Sequence, residues 1–160
     1  MKIRNGFVSN SSSSSFILCA YDMSDNVDGL KKIFTAYKTK YPEEYAEAEE
    51  GVRTDYDSEA DENSVEFYVY LVMVLEDQLS KDEEIPFVAK DSDWGSEIYF
   101  GSTVDRSYED TSLMRKSTFD EKAQSVVQRI NDFLTDLGLT LEDVGITEEI
   151  CYVMGSYYDG

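Results

Sequence analysis

The chain has 160 residues, of which 34 are Asp or Glu, 14 are Lys or Arg and none is His, giving a formal charge of −20 at neutral pH. That balance excludes a broad surface for the phosphate backbone, and the missing histidine removes both the commonest acid–base group near neutral pH and a common metal ligand. A hydrophobic fraction of 41%, with twelve Tyr, eight Phe and one Trp, excludes a disordered acidic tail and predicts a folded domain around one core.

Residues 1–15 read as a Ser-rich N-terminal segment ahead of a single acidic domain at 16–160. Arg4-Asn5-Gly6-Phe7-Val8-Ser9-Asn10, then Ser11 to Ser15 and Phe16-Ile17-Leu18, reads as a Gly turn, a polar loop and the beginning of a strand. The string from Arg4 to Phe16 resembles an N-terminal signature, RNGFVSNSSSSSF, that recurs at the head of otherwise dissimilar small proteins of bacteriophages and bacteria. The resemblance implies a phage or mobile-element origin and carries no functional residue with it. Lys2 and Arg4 do not open an export signal, because five serines interrupt the apolar stretch, and Leu18 before Cys19 is too bulky for a lipid-attachment site. The expected location is the cytoplasm of a bacterial host.

Residues 16–21 favour a strand, and Ser24 or Asp25 is placed to cap the helix that follows. Val27, Leu30, Phe34, Tyr37 and Tyr41 fall on one face of that helix, with Lys31, Lys32 and Lys38 off it, and Pro42 stops or kinks it. Glu43, Glu44, Glu47, Glu49 and Glu50 with two alanines predict a second, very acidic helix that ends at Gly51 and has Tyr45 as its only large apolar contact. Residues 55–62 lack an apolar period and read as exposed loop or a first helical turn.

Residues 65–75 admit two readings. Their β-branched and aromatic density suits a buried strand, whereas Val65, Tyr68, Val72, Leu75 and Leu79 fit a helical seam running into Glu76-Asp77-Gln78, the reading preferred here. Residues 86–89 and 96–100, joined across Asp91-Ser92-Asp93-Trp94-Gly95, predict an antiparallel hairpin. A helix over 119–137 follows, with Thr118 and Glu121 as a capping box, Phe119, Ala123, Val126, Val127, Ile130, Phe133, Leu134 and Leu137 inward, and Gly138 as its stop. Residues 140–144 suit a helical turn and 150–158 a last strand, with Cys151 and Val153 on one face and Tyr152 and Met154 on the other. The sum is a single α+β domain, a three- to four-stranded, mostly antiparallel sheet packed with two to four helices.

No motif specifies chemistry. The serine run has no base beside it, the many carboxylates make chance pairings uninformative, and neither a G-x-x-x-x-G-K-[ST] nor a G-x-G-x-x-G string occurs, so neither an enzyme nor a cofactor is expected. Cys19 and Cys151 read as small buried hydrophobes rather than a disulfide framework or a zinc site. Asp91, Asp93 and Glu97 echo part of a calcium loop, but Ser102 stands where the bidentate acid belongs, so a solvated hairpin turn is the better reading and no metal is expected.

The charge itself is the informative feature. Twenty-two acidic and four basic residues lie between positions 41 and 110. A surface lined with carboxylates offers a basic groove what nucleic acid offers it, so the expected partner is a basic, nucleic-acid-binding host or defence protein, bound and inhibited without turnover. The expected contacts are Glu43, Glu44, Glu47, Glu49, Glu50, Asp55, Asp57, Glu59, Asp61 and Glu62, with Tyr45 and Tyr56 as anchors. Two other readings are a virion or scaffold module that self-associates through tyrosine-rich strand edges such as 150–158, and a carboxylate-metal enzyme.

Overall fold

Strand β1 (Ser12–Asp22) runs through the middle of the molecule, hydrogen-bonded on one side to β3 (Gly95–Ser107) and on the other to β4 (Cys151–Asp159), while β2 (Phe87–Ser92) pairs with the outer side of β3. The sheet order is thus β2-β3-β1-β4 and every pairing is antiparallel. This is a computed structural model, and it describes residues 12–79, 84–107 and 115–159. Helices α1 (Val27–Lys40), α2 (Pro42–Asp55), α3 (Val65–Gln78) and α4 (Lys116–Asp136) complete a two-layer α+β domain, the expected class.

Alternation along β1 sorts the two faces of the sheet. Cys19 joins the main core with Ile98, Phe100 and Phe87 from neighbouring strands and with residues of all four helices. Phe16, Leu18 and Ala20 point the other way, into a smaller cluster with Val88, Tyr99 and Val153 to which, among the described residues, no helix contributes. The serines from 12 to 15, read from sequence as polar loop, already pair with residues 156–159. Among the described residues Ser12 to Ser14 pair with β4 alone and Ser15 with both β4 and β3; backbone pairing of this kind is made whatever the side chains, and it overrides the weak strand preference of serine. Residues 1–11, with most of the resembling string, lie outside the described residues.

The α1 cap is Asn26 rather than Ser24 or Asp25. The Asn26 Oδ1 accepts from the Gly29 N–H at 3.0 Å and its Nδ2 donates to the Val144 carbonyl at 3.0 Å, so one side chain starts the helix and ties it to the far loop. Asp22 instead accepts from the Ser24 N–H, and the Ser24 Oγ accepts from the Ile98 N–H. Leu30, Ile33, Phe34 and Tyr37 turn inward. Tyr41 ends α1 and begins α2, with Pro42 at the first position, where its missing N–H removes no bond.

Helix α2 runs through Gly51 to Asp55, beyond its expected end, and buries Tyr45, Ala48 and Val52. A Cβ at Gly51 would stand 2.8 Å from the Val74 Cγ1, so glycine serves here to bring α2 close to α3 rather than to stop the helix. Residues 65–78 are helical, and α3 buries seven of its side chains between α2 and the sheet. A helix covered on most sides has no polar stripe, which is why its composition suited a strand equally well.

Helix α4 starts earlier than its sequence signature, with Arg115 as a cap that makes no side-chain bond. Thr118 and Glu121 therefore lie inside the helix and form no capping box; a Lys116–Asp120 ion pair at 2.7 Å spans the first turn instead. The stop is as expected. Gly138 takes φ 74°, its N–H reaches the Thr135 carbonyl at 3.0 Å, and the Leu139 N–H reaches the Leu134 carbonyl at 2.8 Å. Reciprocal bonds between Thr140 and Asp143 close the turn at 141–145.

Cys19 and Cys151 are both free; Cys19 is buried but Cys151 is exposed, contrary to the reading of both as core. They lie on adjacent strands, yet Cys19 pairs with Tyr152 and Cys151 with Ala20, which puts the two thiols on opposite faces and forbids a bridge. Burial, then the nearby Cys151, pushes the Cys19 thiol above its ordinary value. No helix among the described residues is long and apolar enough to cross a membrane.

Candidate interaction surface

Helix α2 sets the surface. Burying Tyr45, Ala48 and Val52 against α1 and α3 forces the opposite side into water, and on a 3.6-residue period that side carries Glu43, Glu47 and Glu50 in a row. Including Glu44, Glu49 and Asp55, six carboxylates occupy a 14-residue helix about 21 Å long, one for every ~3.5 Å of axis. One strand of duplex DNA carries a charge every ~3.4 Å, so the linear densities are equal.

The six are not equivalent. Glu49 is half-buried and pairs with Arg53 at 3.7 Å, and Arg53 also donates to the Ala60 carbonyl at 2.9 Å, folding the following loop back onto the helix. Glu44 faces a cleft with Tyr41 and Asp136, away from the row. There Asp136 accepts from Lys40 and Tyr41, and those bonds, Lys40 first, hold its carboxyl below the usual range.

Asp55, Asp57, Glu59 and Asp61 are exposed and continue the acidic surface, whereas Glu62 is half-buried toward Tyr45. Asp57 and Asp61 each accept the N–H two residues on, Glu59 and Asn63, at 2.9 Å, so this loop is locally braced.

Of the two expected anchors, one fails. Tyr45 is 5% exposed in the core, where burial, and then Glu49 and Glu62, push its hydroxyl up to about 12. Its place on the inward side of α2 follows from the same period that turns the glutamates outward. Tyr56 is 43% exposed and stacks on Tyr70, ring centroids 5.0 Å apart and planes at 14°. The Tyr70 hydroxyl is raised by partial burial and then by Asp91, Asp57 and Glu66, which brings the loop, α3 and β2 together at one aromatic pair.

From Asp91 the surface reaches the β2–β3 hairpin. Ser92 pairs with Gly95 across a two-residue turn of Asp93 and Trp94, and the Ser92 hydroxyl braces it by accepting from the Trp94 N–H and donating to the Gly95 carbonyl. The only tryptophan of the chain stands at this tip, 97% exposed, between Asp93 and the two strands. Asp91 to Gly95 reads from sequence as a hairpin turn with an echo of a calcium loop, and neither reading singles out Trp94. The sequence leaves the turn five residues long; it is the pairing of Ser92 with Gly95 that leaves the Trp94 ring no core to enter.

The hairpin makes no calcium loop. Asp91 pairs with Ser96 and Glu97 with Lys90, which places Asp91 and Glu97 on opposite faces of the ribbon; each accepts a hydroxyl, from Ser96 at 3.0 Å and Tyr99 at 2.6 Å. Among the described residues no three Cys, Asp or Glu side chains come together as metal ligands.

Not all of the negative charge gathers here. Glu76 and Asp77 lie at the far end of α3, Glu142, Asp143, Glu148 and Glu149 lie in the segment before β4, and α1 presents a basic stripe beside α2. In that stripe Lys38 sits over the Tyr45 ring at 5.4 Å, Lys31 donates to the Asn63 Oδ1 and Lys32 to the Asp143 carbonyl. Comparison with protein-family models, with curated proteins and with solved structures found no match to this chain.

Proposed function

We propose that this chain is a small acidic phage-type protein that binds the basic groove of a nucleic-acid-binding host or defence protein and inhibits it stoichiometrically. The surface formed by α2, the 56–64 loop and the β2–β3 hairpin tip makes the contact, with Glu43, Glu47, Glu50, Asp55, Asp57, Glu59 and Asp61 as the charge array and Trp94 and Tyr56 as anchors. The observation that carries the reading is the outward row of Glu43, Glu47 and Glu50 on α2, which runs on into the exposed acids at 55–61 and the Tyr56–Tyr70 stack, with Trp94 exposed at the hairpin tip beyond Asp91. Carboxylates steer the encounter and set its salt dependence, while large rings supply most of the affinity once water is excluded around them.

Capture from bacterial lysate on the immobilised chain tests the reading. Basic proteins retained at 50 mM salt and released by 0.5 M salt are expected with the native chain and lost with E43Q/E47Q/E50Q. Retention of the same proteins by the neutralised variant would contradict it.

A further inference from the structure

The two edges of the sheet are built differently. Edge strand β2 has six residues, two of them charged, Lys90 and Asp91, and turns into the hairpin; these are ordinary ways of keeping an edge from pairing with another chain. Edge strand β4 has nine residues and no charge before its last, Asp159, in a chain that is 30% charged overall. Among the described residues no strand lies beyond it. Among the described residues, two of the four exposed large hydrophobic side chains stand on it, Tyr152 at 52% and Met154 at 81%.

We propose that β4 is a dimerisation edge, at which a second copy of this chain adds its own β4 antiparallel across a twofold axis, joining two four-stranded sheets into one of eight. A twofold contact is isologous, so the edge must be complementary to itself. For a molecule of charge −20 this means that no carboxylates are brought opposite one another; pairing centred on Gly155 sets Asp159 against Cys151 and leaves the run from Tyr152 to Tyr158 uncharged on both sides, a condition the charged β2 edge does not meet. The acidic α2 row does not oppose the contact. It packs on α3, which lies over β2 and β3, and β2 is three strand spacings, about 14 Å, from β4. That exceeds the ~8 Å screening length at physiological ionic strength. A nine-residue edge about 30 Å long makes a small interface, so the dimer forms in the micromolar range rather than being permanent. The inference is independent of the proposed partner, and a dimer leaves both acidic surfaces free.

Sedimentation of the full chain between about 1 and 200 µM in 0.15 M salt provides the test. The weight-average mass is expected to rise from 18.3 kDa to a plateau at twice that value. Met154→Lys, which sets two lysines diagonally across an axis centred on Gly155, is expected to weaken association at least tenfold with an unchanged thermal midpoint, and Met154→Leu to dimerise like the native chain. Should the lysine variant fail to fold, Met154→Gln is read in its place, with a several-fold loss expected. A constant mass of 18.3 kDa, an undiminished association constant in the polar variants, or growth past the dimer without a plateau would each overturn the proposal.

Discussion

Tyr45 links the core to the acidic surface through one side chain. Its hydroxyl is pushed up to about 12 by burial, against about 10 in an unfolded chain. The folded state therefore holds this proton more tightly than the unfolded state does. Its contribution is complete below pH 10 and falls away as the pH rises toward 12, by on the order of 2 kcal/mol. Denaturant midpoints between pH 9 and 12 are expected to fall in the native chain and to fall less in Tyr45→Phe. Equal slopes would place the hydroxyl in water. Gly29 makes a second demand at this scale, since a Cβ there would stand 2.4 Å from the Val144 carbonyl oxygen. Gly29→Ala is expected to cost about 2 kcal/mol, read as a lower urea midpoint at unchanged slope.

At the scale of elements, α2 and the hairpin tip divide stability from contact. Glu43, Glu47, Glu50 and Trp94 project into water, so Trp94→Ala and the triple glutamine variant are expected to leave unfolding within about 0.5 kcal/mol of the native value. The same Trp94→Ala is expected to lose about 2 kcal/mol of partner affinity, mostly through faster dissociation, while the triple variant slows association and flattens its salt dependence. Leu71→Ala, at a fully buried position of α3, is expected to do the reverse and cost about 3 kcal/mol of stability with no specific effect on contact.

The elements also show where sequence is legible. Apolar spacing predicts amphipathic α1 and α4, Glu and Ala composition predicts α2, and Gly138 marks a stop through the left-handed backbone it permits. Helix ends misled, because Asn26 outcompeted Ser24 by also holding the Val144 carbonyl, and Gly51 reported a neighbouring helix rather than a terminus. Spacing within 26 or 51 cannot reveal a partner more than a hundred residues, or one helix pair, away. The acidic row of α2 is equally plain in the sequence, and the same period that turns it outward carries Tyr45 inward. Trp94 needed the hairpin register before its exposure meant anything.

For the whole molecule, a charge of −20 is a standing cost in self-repulsion, partly offset where α1 lysines meet Asp136, Asn63 and the 141–145 turn. Raising salt from 0.01 to 0.2 M shortens the screening length from about 30 Å to under 8 Å. The thermal midpoint is expected to climb by roughly 3–6 °C, the equivalent of about 1–2 kcal/mol for a domain of this size. A midpoint that falls with salt would mean that the ion pairs outweigh the repulsion. A displacement titration decides whether the α2, loop and hairpin surface stands in for nucleic acid. Lysate proteins bound to the immobilised chain at 50 mM salt are challenged with increasing duplex DNA, and the protein released is measured at each step. Release that saturates with DNA, and is absent for an uncharged polymer at equal mass, is the expected result. Bound protein that stays in place at saturating DNA would contradict the account.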